Sequence, residues 1–306
     1  MPAFIFPGQG SQAVGMGKDF YDHFDEVRRL YDEASLALDY DIAELSFNGP
    51  AEELNKTYRT QPCILVASIA GFTVLGLKGM KPSVVAGHSL GEYSALVAAG
   101  SISFADAVRL TEIRGKIMQE AVPEGAGLMA AVLGIGRDVV DALCKGIENG
   151  YVSVANYNCP GQIVVSGEKA AVEALLARAK ESGARRAVPL AVSVPSHCAL
   201  MEEAGRKFEV ILKECRISDA TLPFVNNADA KFISAAEEIR ASLVRQLSRS
   251  VLWEDCVRAI KARGINSYIE VGPGRVLSGL VKRIDSEAVV ANVEDMGSLE
   301  KAASGL

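Results

Sequence analysis

The sequence predicts an α/β protein in which a large domain with a parallel sheet is interrupted by a small α+β domain. For the large domain, residues 83–100 change from a β-branched strand to a glycine-rich turn and then to a helix of small residues, as in α/β-hydrolases. For the small domain, residues 126–192 carry elements in the order β-α-β-β-α-β, which is the ferredoxin-like pattern. We therefore assign residues 1–125 and 193–306 to the large domain.

Composition and charge narrow the class of protein. Of 306 residues, 49% are hydrophobic and 23% are charged, which is typical of a globular chain. The formal net charge of −6 argues against nucleic acid or an anionic membrane as a partner. The six cysteines include no C-x-x-C pair, so neither a zinc site nor a disulfide framework is indicated. We expect reduced thiols, no bound metal and a cytoplasmic location.

The first half of the large domain follows from local patterns. Residues 3–6 predict a short apolar strand, residues 19–38 a charged amphipathic helix, and residues 61–77 a buried helix. The uncharged stretch at 63–77 is too short to span a bilayer, and the N-terminus has no signal-peptide pattern. An S-x-x-D capping box at residues 103–106 opens a helix that runs to about residue 119.

The remaining elements come from the same patterns. In the small domain we expect strands at 128–133, 152–156, 162–166 and 185–192, with helices at 137–147 and 168–181. After it, residues 193–198 return the chain to the large domain. We then expect helices at 201–215, 239–246 and 276–284, strands at 222–225 and 268–271, and a turn at 272–274.

The turn G-H-S-L-G at residues 87–91 matches the G-x-S-x-G pattern of a serine nucleophile. Such a turn holds the serine in a strained conformation, and a side chain at Gly87 or Gly91 would collide with the crossing strand and helix. Ser89 Oγ then projects at the carboxyl end of the strand, and the Leu90 amide points into the same space. An incidental serine in a glycine-rich turn is the alternative for this motif alone.

A second glycine-rich segment, residues 8–13, fits the G-x-G-x-x-G/A pattern of dinucleotide sites. A second strand ending in an acidic residue should follow about 20 residues later, but residues 19–38 look helical. This disfavours a nucleotide site. Since its neighbours have no side chains, Gln9 can instead bring its amide close to a reacting group.

A serine nucleophile needs a base, and the chain has three histidines. His23 lies in an acidic helix, where we expect it on the surface. His88 directly precedes Ser89, so the turn should direct its side chain away from Oγ, into packing or a pocket wall. His197 is therefore favoured as the base. A triad acid is not evident, and a dyad oriented by a backbone carbonyl or an amide is more plausible.

Two arginines of the helix at 104–119 differ in their neighbours. Arg109 has Asp106 and Glu112 within one turn, which predicts a surface ion pair. Arg114 has almost only apolar neighbours, so its guanidinium needs an anion from elsewhere. Either a distant carboxylate of the chain or a substrate carboxylate provides it.

Along essentially its whole length, the chain resembles the malonyl-CoA:acyl-carrier-protein transacylases, the acyltransferases of type II fatty acid synthesis. The matching segments are F-P-G-Q-G-S-Q at 6–12, G-H-S-L-G-E at 87–92, Arg114 with M-Q at 118–119, N-Y-N at 156–158 with P-G-Q at 160–162, V-P-S-H at 194–197, Q-L at 246–247 and E-V-G-P-G at 270–274. Each is short, but their joint order is specific. Ser250, where relatives often have proline, is one departure.

The resemblance implies a ping-pong transfer of malonyl from malonyl-CoA to the phosphopantetheine thiol of acyl carrier protein. In it, Ser89 would carry the acyl group, His197 would be its base, and Arg114 would bind the free malonyl carboxylate. No metal or redox cofactor would be needed for this transfer. The phosphopantetheine would be carried by the partner. The residues beside the two catalytic ones, Leu90 and the pair at 195–196, resemble the malonyl-selective type rather than the methylmalonyl type.

The resemblance also implies supporting roles. The amides of Gln9 and Leu90 would form the oxyanion hole, Gln246 would orient His197 through its backbone carbonyl, and Asn156 would line the pocket. The acidic carrier would need a local basic patch, for which the candidates are Arg185, Arg186, Arg249, Arg275, Lys282 and Arg283. We expect a monomer. A serine thioesterase, a polyketide-type acyltransferase with a different extender and a catalytically silent binding module are the rival functions.

Overall fold

The structure is a computed structural model that describes residues 1–123, 125–190, 192 and 194–305. Its ten strands are β1 (Ala3–Phe6), β2 (Val84–Gly87), β3 (Gly127–Leu133), β4 (Val152–Cys159), β5 (Gln162–Glu168), β6 (Arg186–Pro189), β7 (Phe224–Val225), β8 (Phe232–Ile233), β9 (Ser267–Val271) and β10 (Val289–Val293). They form two separate sheets, as expected.

Fourteen helices surround these sheets in the described ranges. In chain order they are α1 (Lys18–His23), α2 (Asp25–Leu38), α3 (Ile42–Asn48), α4 (Ala51–Leu54), α5 (Thr57–Leu77), α6 (Gly91–Ala98), α7 (Phe104–Glu120), α8 (Arg137–Lys145), α9 (Lys169–Glu181), α10 (Glu202–Glu214), α11 (Ala236–Ser248), α12 (Trp253–Ala262), α13 (Val276–Ile284) and α14 (Met296–Gly305). A single 3-10 turn, Ala199–Met201, precedes α10.

The large sheet has six strands in the order β10-β9-β1-β2-β7-β8, all parallel except for the antiparallel edge strand β8. Strand β1 is completely buried because both of its sides and both of its faces are covered, and its four residues are apolar. It pairs with β2 in a register that places Phe6 opposite Gly87. The loops that follow β1 and β2 therefore leave the same edge of the sheet side by side.

The small sheet is antiparallel throughout and has the order β4-β5-β3-β6. With α8 and α9 packed on its apolar face, it confirms the expected ferredoxin-like arrangement. The strand predicted at 185–192 is shorter and ends at Pro189, and Ala191 and Ser193 lie outside the described residues. The exact domain boundaries stay a prediction.

The prediction of a single helix at 19–38 is wrong, because the helix is interrupted at Phe24. This residue is extended, with φ −129° and ψ 123°, and separates α1 from α2. Its ring packs on the core and contacts Phe20 edge to face, so tertiary packing outweighs the continuous helical pattern.

The buried helix predicted at 61–77 begins earlier, at Thr57. By length and composition helix α5 could cross a membrane, but 78% of its most apolar 18-residue stretch is buried inside the protein. It packs against α7 and the large sheet as a core helix.

Candidate active site

Ser89 sits at the junction of β2 and α6 with φ 52°, in the left-handed region. Ser89 can keep this strained conformation because Gly87 and Gly91 have no side chains, and the backbone around them packs too closely to accept one. A Cβ on Gly87 would overlap the backbone of Gly91, and one on Gly91 would overlap the carbonyl oxygen of Phe6. The steric reason predicted for the two glycines is thus confirmed, and Ser89 Oγ projects at the carboxyl edge of the large sheet.

His197 meets Ser89 at this edge. Its Nε2 lies 2.7 Å from Ser89 Oγ, and its Nδ1 lies 2.8 Å from the backbone oxygen of Gln246. Because a carbonyl can only accept, Nδ1 carries the ring proton and Nε2 accepts from the serine hydroxyl. Burial, reinforced by the nearby charge of Arg114, lowers the pKa of His197 to about 3. The imidazole is neutral near pH 7 and is available as a base.

In the described part of the chain, no carboxylate touches His197. The ring is oriented by the Gln246 carbonyl, which is one of the two arrangements left open by the sequence. His197 is also in the left-handed region, with φ 60°, and its own amide donates to the Leu247 carbonyl at 3.0 Å. The loop that presents the imidazole is therefore fixed to the end of α11.

Arg114 projects from α7 toward Ser89 and is only 1% exposed. Its guanidinium donates to Gln61 Oε1 at 2.8 Å, to Gln246 Oε1 at 3.0 Å and to Ser89 Oγ at 3.2 Å. Among the described residues no carboxylate forms an ion pair with it. Neutral amides thus hold the guanidinium without balancing its charge, which leaves it able to bind an anion.

The Gln9 and Leu90 amides lie in the two loops that follow β1 and β2. These loops are in close contact, because a Cβ on Gly8 would overlap the carbonyl oxygen of His88. The Gln9 side chain is held by Thr57 Oγ1 at 3.2 Å. Within the described ranges, neither backbone amide donates a hydrogen bond. Two free N–H groups at this edge have the character of an oxyanion hole.

A cleft of about 530 Å³ lies between the large and the small sheets beside these loops. Its polar lining is the loop after β1 together with His88, Asn156 and Asn158, and its apolar lining includes Val164, Leu190, Val276 and Leu277. Asn156 lines this cleft, and its role in binding the substrate stays a prediction. Its Oδ1 is buried and has no partner in the described part of the chain.

His88 lines the same cleft. Its Nε2 is hydrogen-bonded to Asn158 Oδ1 at 2.9 Å, and its ring packs edge to face on Trp253. Burial lowers its pKa, so the ring is neutral. These contacts confirm the expected packing and pocket-lining position.

Besides Gln61, two residues of the site were not singled out by the sequence. Asn227 Oδ1 accepts from the Ser89 amide at 2.7 Å, and its Nδ2 donates to the Gly87 carbonyl at 2.8 Å. Glu92 is completely buried and accepts from the Asn227 amide at 2.7 Å and from Gln246 Nε2. The only signal for Asn227 was its place just after the strand predicted at 222–225, and Glu92 resembled an ordinary acidic residue in the first turn of a helix.

Arg109 and His23 lie on the surface, as predicted. Arg109 pairs with Asp106 at 3.5 Å, as predicted, whereas Glu112 pairs with Arg59 and Lys116 instead. His23 is exposed and binds Asp19 rather than its closer neighbours in sequence. Across the described residues, no group of three or more histidine, cysteine or acidic side chains is placed to hold a metal ion.

Comparison with known proteins agrees with this geometry. The family described as acyl transferase domain matches residues 3–305. The malonyl CoA-acyl carrier protein transacylase of Escherichia coli is 52% identical over 284 residues, covering 92% of both chains. The acyl carrier protein S-malonyltransferase structure from Vibrio cholerae has a TM-score of 0.96 and 45% identity over 98% of this chain and 99% of that one.

A third similar protein was solved with a partner. It is a malonyl-transacylase in complex with its type II polyketide synthase acyl-carrier protein. The structure has a TM-score of 0.97 and 49% identity, and covers 99% of both chains.

Proposed function

This chain belongs to the acyl transferase domain family, and from that premise we propose that it transfers the malonyl group from malonyl-CoA to the phosphopantetheine thiol of acyl carrier protein. The observation that carries the proposal is the position of Arg114. A buried guanidinium without a carboxylate partner lies 3.2 Å from the oxygen of an activated serine. An acyl thioester with a free carboxylate satisfies both groups at once.

In the first half-reaction, Ser89 Oγ attacks the thioester carbon while His197 Nε2 takes the hydroxyl proton. Collapse of the tetrahedral intermediate breaks the bond between carbon and sulfur and leaves malonyl on Ser89. His197 returns the proton to the departing coenzyme A sulfur. In the second half-reaction the carrier thiol gives its proton to His197 and attacks the acyl-serine carbonyl. The ester bond to Ser89 Oγ then breaks, His197 returns the proton to Oγ, and malonyl leaves as a thioester on the carrier.

The negative charge on the tetrahedral oxygen falls at the N-terminus of α6. There the Leu90 and Gln9 amides donate to it, and the positive end of the helix adds to the stabilisation. Because both amides lack other acceptors in the described ranges, no bond has to break before they act.

Arg114 binds the malonyl carboxylate in a bidentate fork and selects malonyl over acetyl. Gln61 and Gln246 fix the plane of the guanidinium before substrate arrives. Gln246 also holds His197 through its backbone oxygen, so the base and the specificity residue share one support.

The test is intact-protein mass spectrometry after mixing with malonyl-CoA, with Ser89→Ala as the control. We expect a mass increase of one malonyl group that needs Ser89 and disappears when holo carrier protein is added, together with malonylated carrier. An adduct lost to water equally fast with and without the carrier would indicate a serine thioesterase. Ligand binding without any adduct, retained in Ser89→Ala, would indicate a binding module.

The same experiment distinguishes carriers and extenders. Because one similar structure holds a polyketide synthase carrier, both a fatty acid and a polyketide carrier protein should be offered as acceptors. Malonyl-CoA and methylmalonyl-CoA should be compared as donors. We further propose that the protein is a cytoplasmic monomer, and that the exposed cations Arg185, Arg186, Arg249, Arg275, Lys282 and Arg283 include those that contact the acidic carrier.

A further inference from the structure

Glu92 is a buried carboxylate that the mechanism above does not use. It is completely buried in the first turn of α6, and no described lysine or arginine forms an ion pair with it. Its Oε1 accepts from the Asn227 amide at 2.7 Å, and its Oε2 accepts from Gln246 Nε2. Burial raises the pKa of Glu92 to about 8, but both of its oxygens accept N–H donors from distant parts of the chain, which favours the ionised form.

The contact with Gln246 determines which way its side-chain amide faces. Gln246 Nε2 donates to Glu92 and to the Ser89 carbonyl at 2.9 Å, while Gln246 Oε1 accepts from Arg114 at 3.0 Å. If this amide were rotated by half a turn, its NH₂ would face the guanidinium and its oxygen would face two other oxygens. Two acceptors on one side and a cation on the other thus specify a single orientation.

We propose that Glu92 is a positioning residue for acyl specificity, which keeps Gln246 Oε1 on Arg114 and so holds the guanidinium beside Ser89 Oγ. This inference deepens the proposed function and depends on it. It predicts that loss of the carboxylate affects a substrate with a free carboxylate more than one without, because only the former uses Arg114.

A glutamine at position 92 cannot replace the carboxylate. Its amide has one acceptor oxygen and one donor nitrogen, yet the site presents a donor on each side, from Asn227 and from Gln246. Since Gln246 is a side chain and Asn227 donates from its backbone, the conflict is resolved at Gln246. Its amide then turns and withdraws its oxygen from Arg114.

The experiment measures initial rates of Ser89 acylation from malonyl-CoA and from acetyl-CoA by intact-protein mass spectrometry. For Glu92→Gln we expect the malonyl-to-acetyl rate ratio to fall about tenfold, the effect of losing one charge-assisted hydrogen bond. Gln246→Leu keeps the backbone carbonyl that holds His197 but removes the acceptor from Arg114, and should lower the ratio similarly. If Glu92→Gln does not fold, Gln246→Leu still tests the Gln246–Arg114 contact through which Glu92 is proposed to act.

The matched control is Asn227→Ala. It removes the side-chain bonds to Ser89 and Gly87 but leaves the backbone N–H to Glu92, so both rates should fall while their ratio is unchanged. An unchanged ratio in folded Glu92→Gln would overturn the inference, and so would an unchanged ratio in Gln246→Leu. So would a higher ratio in Glu92→Gln, which would mean that the carboxylate acts only as a counter-charge to Arg114. A wild-type protein that malonyl-CoA does not acylate would refute the proposed function itself.

Discussion

Ser89 and His197 are joined by a 2.7 Å hydrogen bond, and both have left-handed backbone angles, with φ of 52° and 60°. Such angles cost free energy in residues with a side chain, so the surrounding structure must hold both in place. Asn227 does so for Ser89 through the serine amide, and the Leu247 carbonyl does so for His197 through its own amide. The dyad is therefore preorganised before substrate binds.

The role of Arg114 can be tested by replacing it with alanine. We expect Arg114→Ala to lower the rate of acylation by malonyl-CoA about a hundredfold, since a charge-assisted bidentate contact is lost. Acetyl-CoA does not use this contact, so its slower rate should change far less. Quenched-flow mass spectrometry of the two acyl-enzymes measures both acylation rates. Equal losses for the two substrates would exclude the role.

The role of His197 can be tested by His197→Ala. Without the base, acylation by malonyl-CoA should fall by about a thousandfold, the range of general base catalysis. Circular dichroism and the thermal midpoint should show that the variant folds. Acylation at the wild-type rate would show that another group deprotonates Ser89.

The depressed pKa of His197 predicts how activity depends on pH. With a pKa of about 3, the imidazole stays neutral throughout the neutral range, so the acylation rate should not change between about pH 5 and pH 7. A titration near pH 6.5 would contradict this. The profile should be measured on acylation alone, because deacylation also depends on the carrier thiol.

The lowered pKa of His197 should also make the stability of the protein depend on pH. Between the folded pKa of about 3 and the ordinary value of 6.5, the unfolded chain binds more protons at His197 than the folded chain. The free energy of unfolding should therefore fall as the pH drops through this window. Urea titrations of the wild type and His197→Ala at several pH values can measure it, and the variant should lose less stability on acidification. A parallel decline in both proteins would contradict the predicted contribution.

The glycines of the nucleophile turn should be irreplaceable for steric reasons. Gly91→Ala puts a methyl group against the Phe6 carbonyl, in a buried backbone contact that cannot move aside. We expect a loss of about 3 kcal/mol in the free energy of unfolding, or no folded protein. Gly76→Ala is the matched control. Its Cβ would meet nothing within 4 Å on the exposed end of α5, so it should be neutral or stabilising by up to about 1 kcal/mol. Similar stabilities of the two variants would contradict the steric account.

Much of the site could be predicted from local sequence. The turn around Ser89 requires glycine at two fixed positions, and this requirement is visible in five consecutive residues. His197 followed by elimination among three histidines, and the apolar helical neighbours of Arg114 already showed that its charge is not balanced within its own helix. The two sheets could be predicted because the order of strands and helices along the chain is typical of each type of sheet.

Only the tertiary structure decided what holds these groups together. The partners of Arg114 and Ser89 are Gln61, Gln246 and Asn227, which lie 53, 132 and 138 positions away in the chain. A buried polar side chain accepts any partner of suitable geometry, so residue type alone does not identify it. The break at Phe24 has the same cause, since the core packing of one aromatic ring outweighs a continuous helical pattern. By itself, the sequence determined which residues can react, because strain and burial leave a local pattern. The fold determined their mutual geometry, because that geometry depends on contacts between distant segments.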